Sequence, residues 1–151
     1  MSKVLITYHT FTGKTKTLAE IAAEGAKSTG AEVVLKEVID TTIQDLATAD
    51  AILLATPQPF QIMAGETKKL FERLWKDREQ IGDGKPFGVI ICHSSDPSAT
   101  LEAMDKFCNY YKFVKVSEWI TINSAELEAG KKYCRQLGIV LGQEGRKSKH
   151  E

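Results

Sequence analysis

The feature that most constrains this chain is an alternation. Short runs of branched aliphatic and aromatic residues take turns with longer stretches in which apolar residues recur at helical spacing. Residues 4–8 read as a buried strand, and Leu18, Ile21, Ala22 and Ala26 then share one face of a helix that starts near Lys14. Val33, Val34, Leu35, Val38 and Ile39 alternate with Glu32, Lys36 and Glu37, as expected of a strand near a sheet edge. Residues 43–47 offer one helical turn, and residues 51–55 form an uninterrupted apolar run suited to a central parallel strand. A stripe of Thr67, Leu70, Phe71, Leu74 and Trp75 predicts the next helix, stopped near Gly82 and Gly84. Residues 87–92 are the fourth strand. Asp96 and Pro97 signal a helix start, followed by the apolar face of Leu101, Met104, Phe107, Cys108 and Tyr111. Residues 113–122 read as a fifth strand. Asn123 and Glu126 resemble a capping box for a last helix docked through Leu127, Tyr133, Leu137, Val140 and Leu141.

Parallel strands need crossover connections, and those crossovers are right-handed, so five strands alternating with helices predict an α/β three-layer sandwich around a parallel sheet. The 151 residues suit one domain, expected over residues 1–142 with a polar, frayed tail over 143–151. Ligands of such sheets bind beyond the carboxyl ends of the strands, where strand order reverses. The loops that leave the first, third and fourth strands therefore carry the candidate site.

The first of these loops holds His9, Thr10, Phe11, Thr12, Gly13, Lys14 and Thr15. Amides at a helix N-terminus lack intrahelical acceptors and sit at the positive end of the helix dipole, which makes the loop a phosphate cradle. A nucleotide-triphosphatase loop is excluded, because the glycine required five positions before the Gly13 and Lys14 pair is Tyr8. A monophosphate fits better. The alternative is a helix capped by Thr10 or Thr12 with no ligand.

Twenty basic and twenty acidic residues cancel, so no global charge steers the chain toward nucleic acid or an anionic membrane. The start at Met1, Ser2 and Lys3 runs straight into a strand, without an export pattern or a membrane-length apolar run, and a cytoplasmic location is expected. Cys92, Cys108 and Cys134 are odd in number and widely spaced, which argues for reduced thiols over disulfides or a zinc site.

The first loop, from Tyr8 through Thr10, Gly13, Thr15, Ala19 and Ile21, resembles the FMN-phosphate signature of the flavodoxin family. Thr7 and Lys14 depart from its usual apolar residue and asparagine. The resemblance implies a flavodoxin-like doubly wound fold with strand order 2-1-3-4-5. Thr56, Pro57, Phe60, Met63, Gly65 and Lys68 are similar to the second-loop pattern of flavodoxin-like NAD(P)H:quinone oxidoreductases and FMN reductases, including the tryptophan-repressor-binding-protein group. That resemblance implies FMN as cofactor and NAD(P)H as donor. It places Pro57, Gln58, Pro59 and Phe60 beside the isoalloxazine ring, with Phe60 as aromatic contact, unless Phe60 and Met63 merely cover the sheet edge.

The third loop supplies His93, Ser94, Ser95 and Asp96 as short donors and acceptors for the pyrimidine edge, although Asp96 also suits a helix cap. It lacks the tyrosine usual in carrier flavodoxins, which leaves a ring face for a nicotinamide, a quinone or a second subunit. Residues 56–65 carry no charge and residues 92–100 carry only Asp96, so an anionic reduced ring is penalised little. The expected function is an FMN-dependent NAD(P)H oxidoreductase acting on quinones or other small acceptors. Its alternatives are an electron carrier for protein partners and a scaffold that no longer binds flavin. The cofactor carries the chemistry, so no catalytic acid or base and no metal ligand is assigned. A homodimer or larger homo-oligomer is compatible with the open ring face.

Overall fold

A computed structural model describes residues 1–149, and the chain forms a parallel sheet between two helical layers. The strands are β1 (Lys3–Tyr8), β2 (Glu32–Glu37), β3 (Ala51–Pro57), β4 (Pro86–His93), β5 (Val114–Lys115) and β6 (Ile120–Asn123). The helices are α1 (Lys14–Lys27), α2 (Ile43–Thr48), α3 (Gly65–Leu74), α4 (Ser98–Tyr110) and α5 (Leu127–Lys149). Strand order is β2-β1-β3-β4-β5, with β6 also paired to β4, and every pairing is parallel. The alternation predicted the parallel sheet between helical layers, and the order within it is the one implied by the resemblance to the flavodoxin family. Among the described residues no helix is long and apolar enough to cross a membrane.

The period-two geometry of a strand splits the core into two halves. Val4, Ile6, Leu53, Ile90 and Cys92 point to the side covered by α1 and α5, where Leu18, Ala22, Cys134, Leu137 and Leu141 meet them. Leu5, Ile52, Leu54, Val89 and Ile91 point to the opposite side, against Leu46 of α2, Leu70 and Phe71 of α3, and Met104 of α4. Thr7 is buried on that second side. Its hydroxyl pairs with Thr41 Oγ1 at 2.7 Å, which satisfies a polar atom where the family pattern has an apolar one.

The structure departs from the sequence expectations in four places. The fifth strand is broken. β5 and β6 both lie beside β4, and the chain leaves the ladder between them so that Trp119 packs edge-on against Phe87 and donates from Nε1 to Asp105 Oδ1 at 2.7 Å. The second strand stops at Glu37, because the chain turns through a short 3-10 segment, Val38–Asp40, that buries Val38 and leaves Ile39 exposed. On α5, Tyr133 is half-exposed and Cys134 is the residue in the core. The expected tail over 143–151 is helical through Lys149. Its approach to the sheet depends on small residues: Gly142 lies under Thr29, its carbonyl accepts from Ser2 Oγ, and Gly145 faces Ala51. His150 and Glu151 of the expected tail lie outside the described residues.

Candidate functional site

The carboxyl ends of β1, β3 and β4 open onto a cleft of about 150 Å³. It is lined by Phe11, Thr12, Lys14 and Thr15 of the first loop, Pro57, Gln58 and Pro59 of the second, Cys92, His93 and Ser94 of the third, and Ser124. The three predicted loops therefore converge. Ser124 was not foreseen. It follows β6, whose separate existence was hidden when the whole 113–122 segment was read as one strand.

The first loop turns at Gly13, whose φ of 96° lies in the region that side chains other than glycine rarely adopt. Thr10 Oγ1 accepts from the Gly13 amide at 2.9 Å and holds that turn closed. The first intrahelical bond of α1 is Thr17 N to Gly13 O at 3.1 Å, so the amides of Lys14, Thr15 and Lys16 precede the regular ladder. The first turn of α1 contains no acidic side chain that would compensate the dipole. Thr10 spends its hydroxyl inside the loop and, with His9, does not line the cleft. Lys14 extends its ammonium to the Ser124 carbonyl at 3.3 Å and so ties the first loop to the chain after β6.

In the second loop, Gln58 is buried at 6% exposure, whereas Phe60 is 93% exposed. Phe60 and Gln61 take positive φ values of 58° and 66°, which lifts the aromatic ring away from the core. Phe60 does not line the cleft, and Met63 packs against the core cluster beneath α3 and α4. In the third loop, His93 Nδ1 lies 2.8 Å from the Ser95 carbonyl, which can only accept. Nδ1 is therefore the protonated nitrogen, and Nε2 of the neutral ring is left as an acceptor. Asp96 accepts from the amide and hydroxyl of Ser98 at 3.0 and 2.6 Å, and the hydroxyl bond, then the amide bond, hold its carboxyl below the ordinary value. It serves the start of α4 and lies outside the cleft lining, as does Ser95.

Burial pushes the Cys92 thiol up, against the Thr15 hydrogen bond and the Lys14 charge, so the sulfur stays protonated near neutrality. Lys14 therefore supplies the permanent charge of the lining, which contains no carboxylate.

The family profile described as Flavodoxin matches residues 6–136. The chain belongs to the flavodoxin family. It is 30% identical over 149 residues to a protein named Flavodoxin from Aquifex aeolicus (strain VF5), covering 97% of this chain and 77% of that one. It is also 28% identical over 131 residues to an NAD(P)H dehydrogenase (quinone) of Archaeoglobus fulgidus, covering 68% of this chain and 67% of the relative. Among solved structures, a flavodoxin, WrbA-like protein from Agrobacterium tumefaciens superposes with a TM-score of 0.79 at 21% identity, over 98% of this chain and 99% of the other. Solved structures of a flavodoxin and of a WrbA-like protein share this fold, and fold alone does not separate roles.

Proposed function

We propose that this flavodoxin-family chain is an FMN-dependent oxidoreductase that moves electrons from NAD(P)H to a quinone or similar small acceptor. The residues present suit the cofactor. Thr12, Gly13, Lys14 and Thr15 would hold its phosphate, since the α1 amides before the regular ladder and an uncompensated helix dipole favour a dianion. Pro57, Gln58 and Pro59 would flank the ring on one side, with His93 and Ser94 on the other. His9, Thr10, Phe11, Phe60, Ser95 and Asp96 shape the rim or the turns behind it. Bound FMN supplies the two-electron redox chemistry.

The observation that carries the reading is the charge of the cleft lining, which holds Lys14 and no carboxylate. Negative neighbours raise the free energy of an anionic ring, and here none lines the cleft, so full reduction is penalised little. That favours exchange of electron pairs over one-electron shuttling at low potential. Phe11 and Phe60 stand at 71% and 93% exposure, which suits an approach by a flat diffusible molecule.

Identity of 30% to a protein named Flavodoxin over 97% of the chain favours a second reading, a carrier that serves protein partners. Steady-state NADH and NADPH oxidation by the FMN-loaded protein, with and without a benzoquinone, separates the two. Quinone-dependent turnover is expected, and none at full FMN occupancy would establish the carrier.

A further inference from the structure

Gln58 leaves β3 as the first buried side chain of the second loop, and its amide is committed on one side only. Nε2 donates to the Ser95 carbonyl at 3.3 Å and to the Asp96 carbonyl at 2.9 Å, which straps the second loop to the third. Both partners are carbonyl oxygens. The opposite assignment would set Oε1 against two acceptors, so the hydrogen-bond network fixes the orientation of the amide. Oε1 then has no donor in the protein and is shielded from water.

Buried acceptors without a partner are rare because the desolvation goes uncompensated. Thr100 Oγ1 is the other such side-chain atom among the described residues, and Thr100 does not line the cleft. Gln58 does. The phosphate end of the cleft is formed by the loop after β1, while Gln58 bridges the loops after β3 and β4, the strands that follow β1 across the sheet. A donor reaching Oε1 therefore belongs to the ring end of the ligand. The oxidised isoalloxazine ring offers one N–H, the imide at N3. Phe60, Gln61 and Ile62, which follow Gln58 and Pro59 along the loop, are exposed, and the first two hold left-handed backbone.

We propose that Gln58 is a cofactor-positioning residue with two ends, its Nε2 holding the third loop and its Oε1 accepting the N3–H of the flavin. This rests on the FMN reading above and goes beyond it by assigning recognition of the imide to one side chain.

The test uses fluorescence quenching of FMN and of 3-methyl-FMN, which lacks that N–H, on the wild-type protein and on Gln58→Met, with melting curves as the check on folding. Wild type should bind 3-methyl-FMN roughly tenfold more weakly than FMN, a ratio worth about 1.4 kcal/mol. Gln58→Met should bind FMN more weakly than wild type and treat the two flavins alike within about twofold, because no acceptor remains to lose. Gln58→Ala serves the same comparison where the Met variant does not fold. Equal penalties for methylation in wild type and variant would overturn the assignment, as would wild type binding both flavins equally. Failure of wild type to bind FMN at all would instead remove the cofactor reading on which Gln58 depends.

Discussion

Helices α1 and α5 meet through glycines, and Gly138→Ala is the substitution that tests how close that contact is. A Cβ on Gly138 would stand 1.9 Å from the Ala22 carbonyl oxygen, 2.8 Å from its carbon and 3.0 Å from the Ala26 nitrogen. Gly25 mirrors it on α1, where a Cβ would meet the Arg135 carbonyl oxygen at 2.1 Å. All of the nearest atoms at Gly138 are backbone, so no rotamer change relieves the clash. Carbon and carbonyl oxygen in packed proteins approach to about 3.3 Å, which requires the two helices to separate by roughly 1.4 Å. Leu18, Ala22, Leu137 and Leu141, all buried between these helices and the sheet, would lose contact in proportion. Overpacking costs about 1 to 3 kcal/mol, and a backbone-on-backbone clash belongs at the top of that range. Replacing glycine by alanine inside a helix returns about 1 kcal/mol. The net is a loss of about 2 kcal/mol, read as a lower urea midpoint at unchanged slope and a Tm lower by roughly 4 to 8 °C. Gly65→Ala is the control, because its Cβ meets nothing within 4 Å at the start of α3. That variant should be neutral or more stable by up to about 1 kcal/mol. A Gly138→Ala protein as stable as the parent would refute the close-contact reasoning.

Stability should fall on the alkaline side because of Cys134, which is fully buried and whose thiol is pushed up to about 12 by desolvation, with Cys92 adding to the rise. The unfolded thiol releases its proton near 9 while the folded one keeps it, so the unfolded state binds fewer protons and stability declines from about pH 9 upward. Urea midpoints for wild type and Cys134→Ala between pH 8 and 11 check this: the variant should show the shallower decline, and parallel curves would remove Cys134 as the cause. For the cleft, FMN should bind at least roughly tenfold more tightly than riboflavin, since even one charge-assisted hydrogen bond to phosphate is worth that much. Lys14→Ala should narrow the difference, most visibly at low ionic strength, where an exposed cation is least screened. Fluorescence titrations at two salt concentrations measure both effects, and equal affinity for the two flavins would argue against the phosphate cradle.

Much of the architecture was legible because each strand advertises its environment. The unbroken apolar runs in β3 and β4 demand burial on both faces, and the polar alternation of β2 demands an edge. The second loop was legible for a different reason. The spacing of Thr56, Pro57, Phe60, Met63 and Gly65 is a local pattern, and local patterns survive without knowledge of the fold.

What failed to show was set by contacts between distant residues. Nothing near Val116 signals that the fifth strand must break, because the cause is Trp119 reaching Phe87 and Asp105. Sequence position does not reveal that the carboxylate of Asp96 bonds at the start of α4, or that the carbonyl of Ser95 serves both His93 and Gln58. Phe60 fits the family spacing, but its left-handed backbone carries the ring outward to solvent. The last helix ran past its expected end because Gly142 and Gly145 work as close-contact residues there, which only their neighbours Thr29 and Ala51 reveal.

The amino-acid order by itself therefore determined the alternation, the layer architecture, the turn at Gly13 and the amide cradle, since these depend on periodicity and on backbone chemistry within a few residues. Tertiary structure decided which side chains face the cleft, that Ser124 joins them, and that Gln58 keeps one end of its amide unpaired. Those outcomes depend on which loops meet, and a loop's neighbours are chosen by the sheet that carries it.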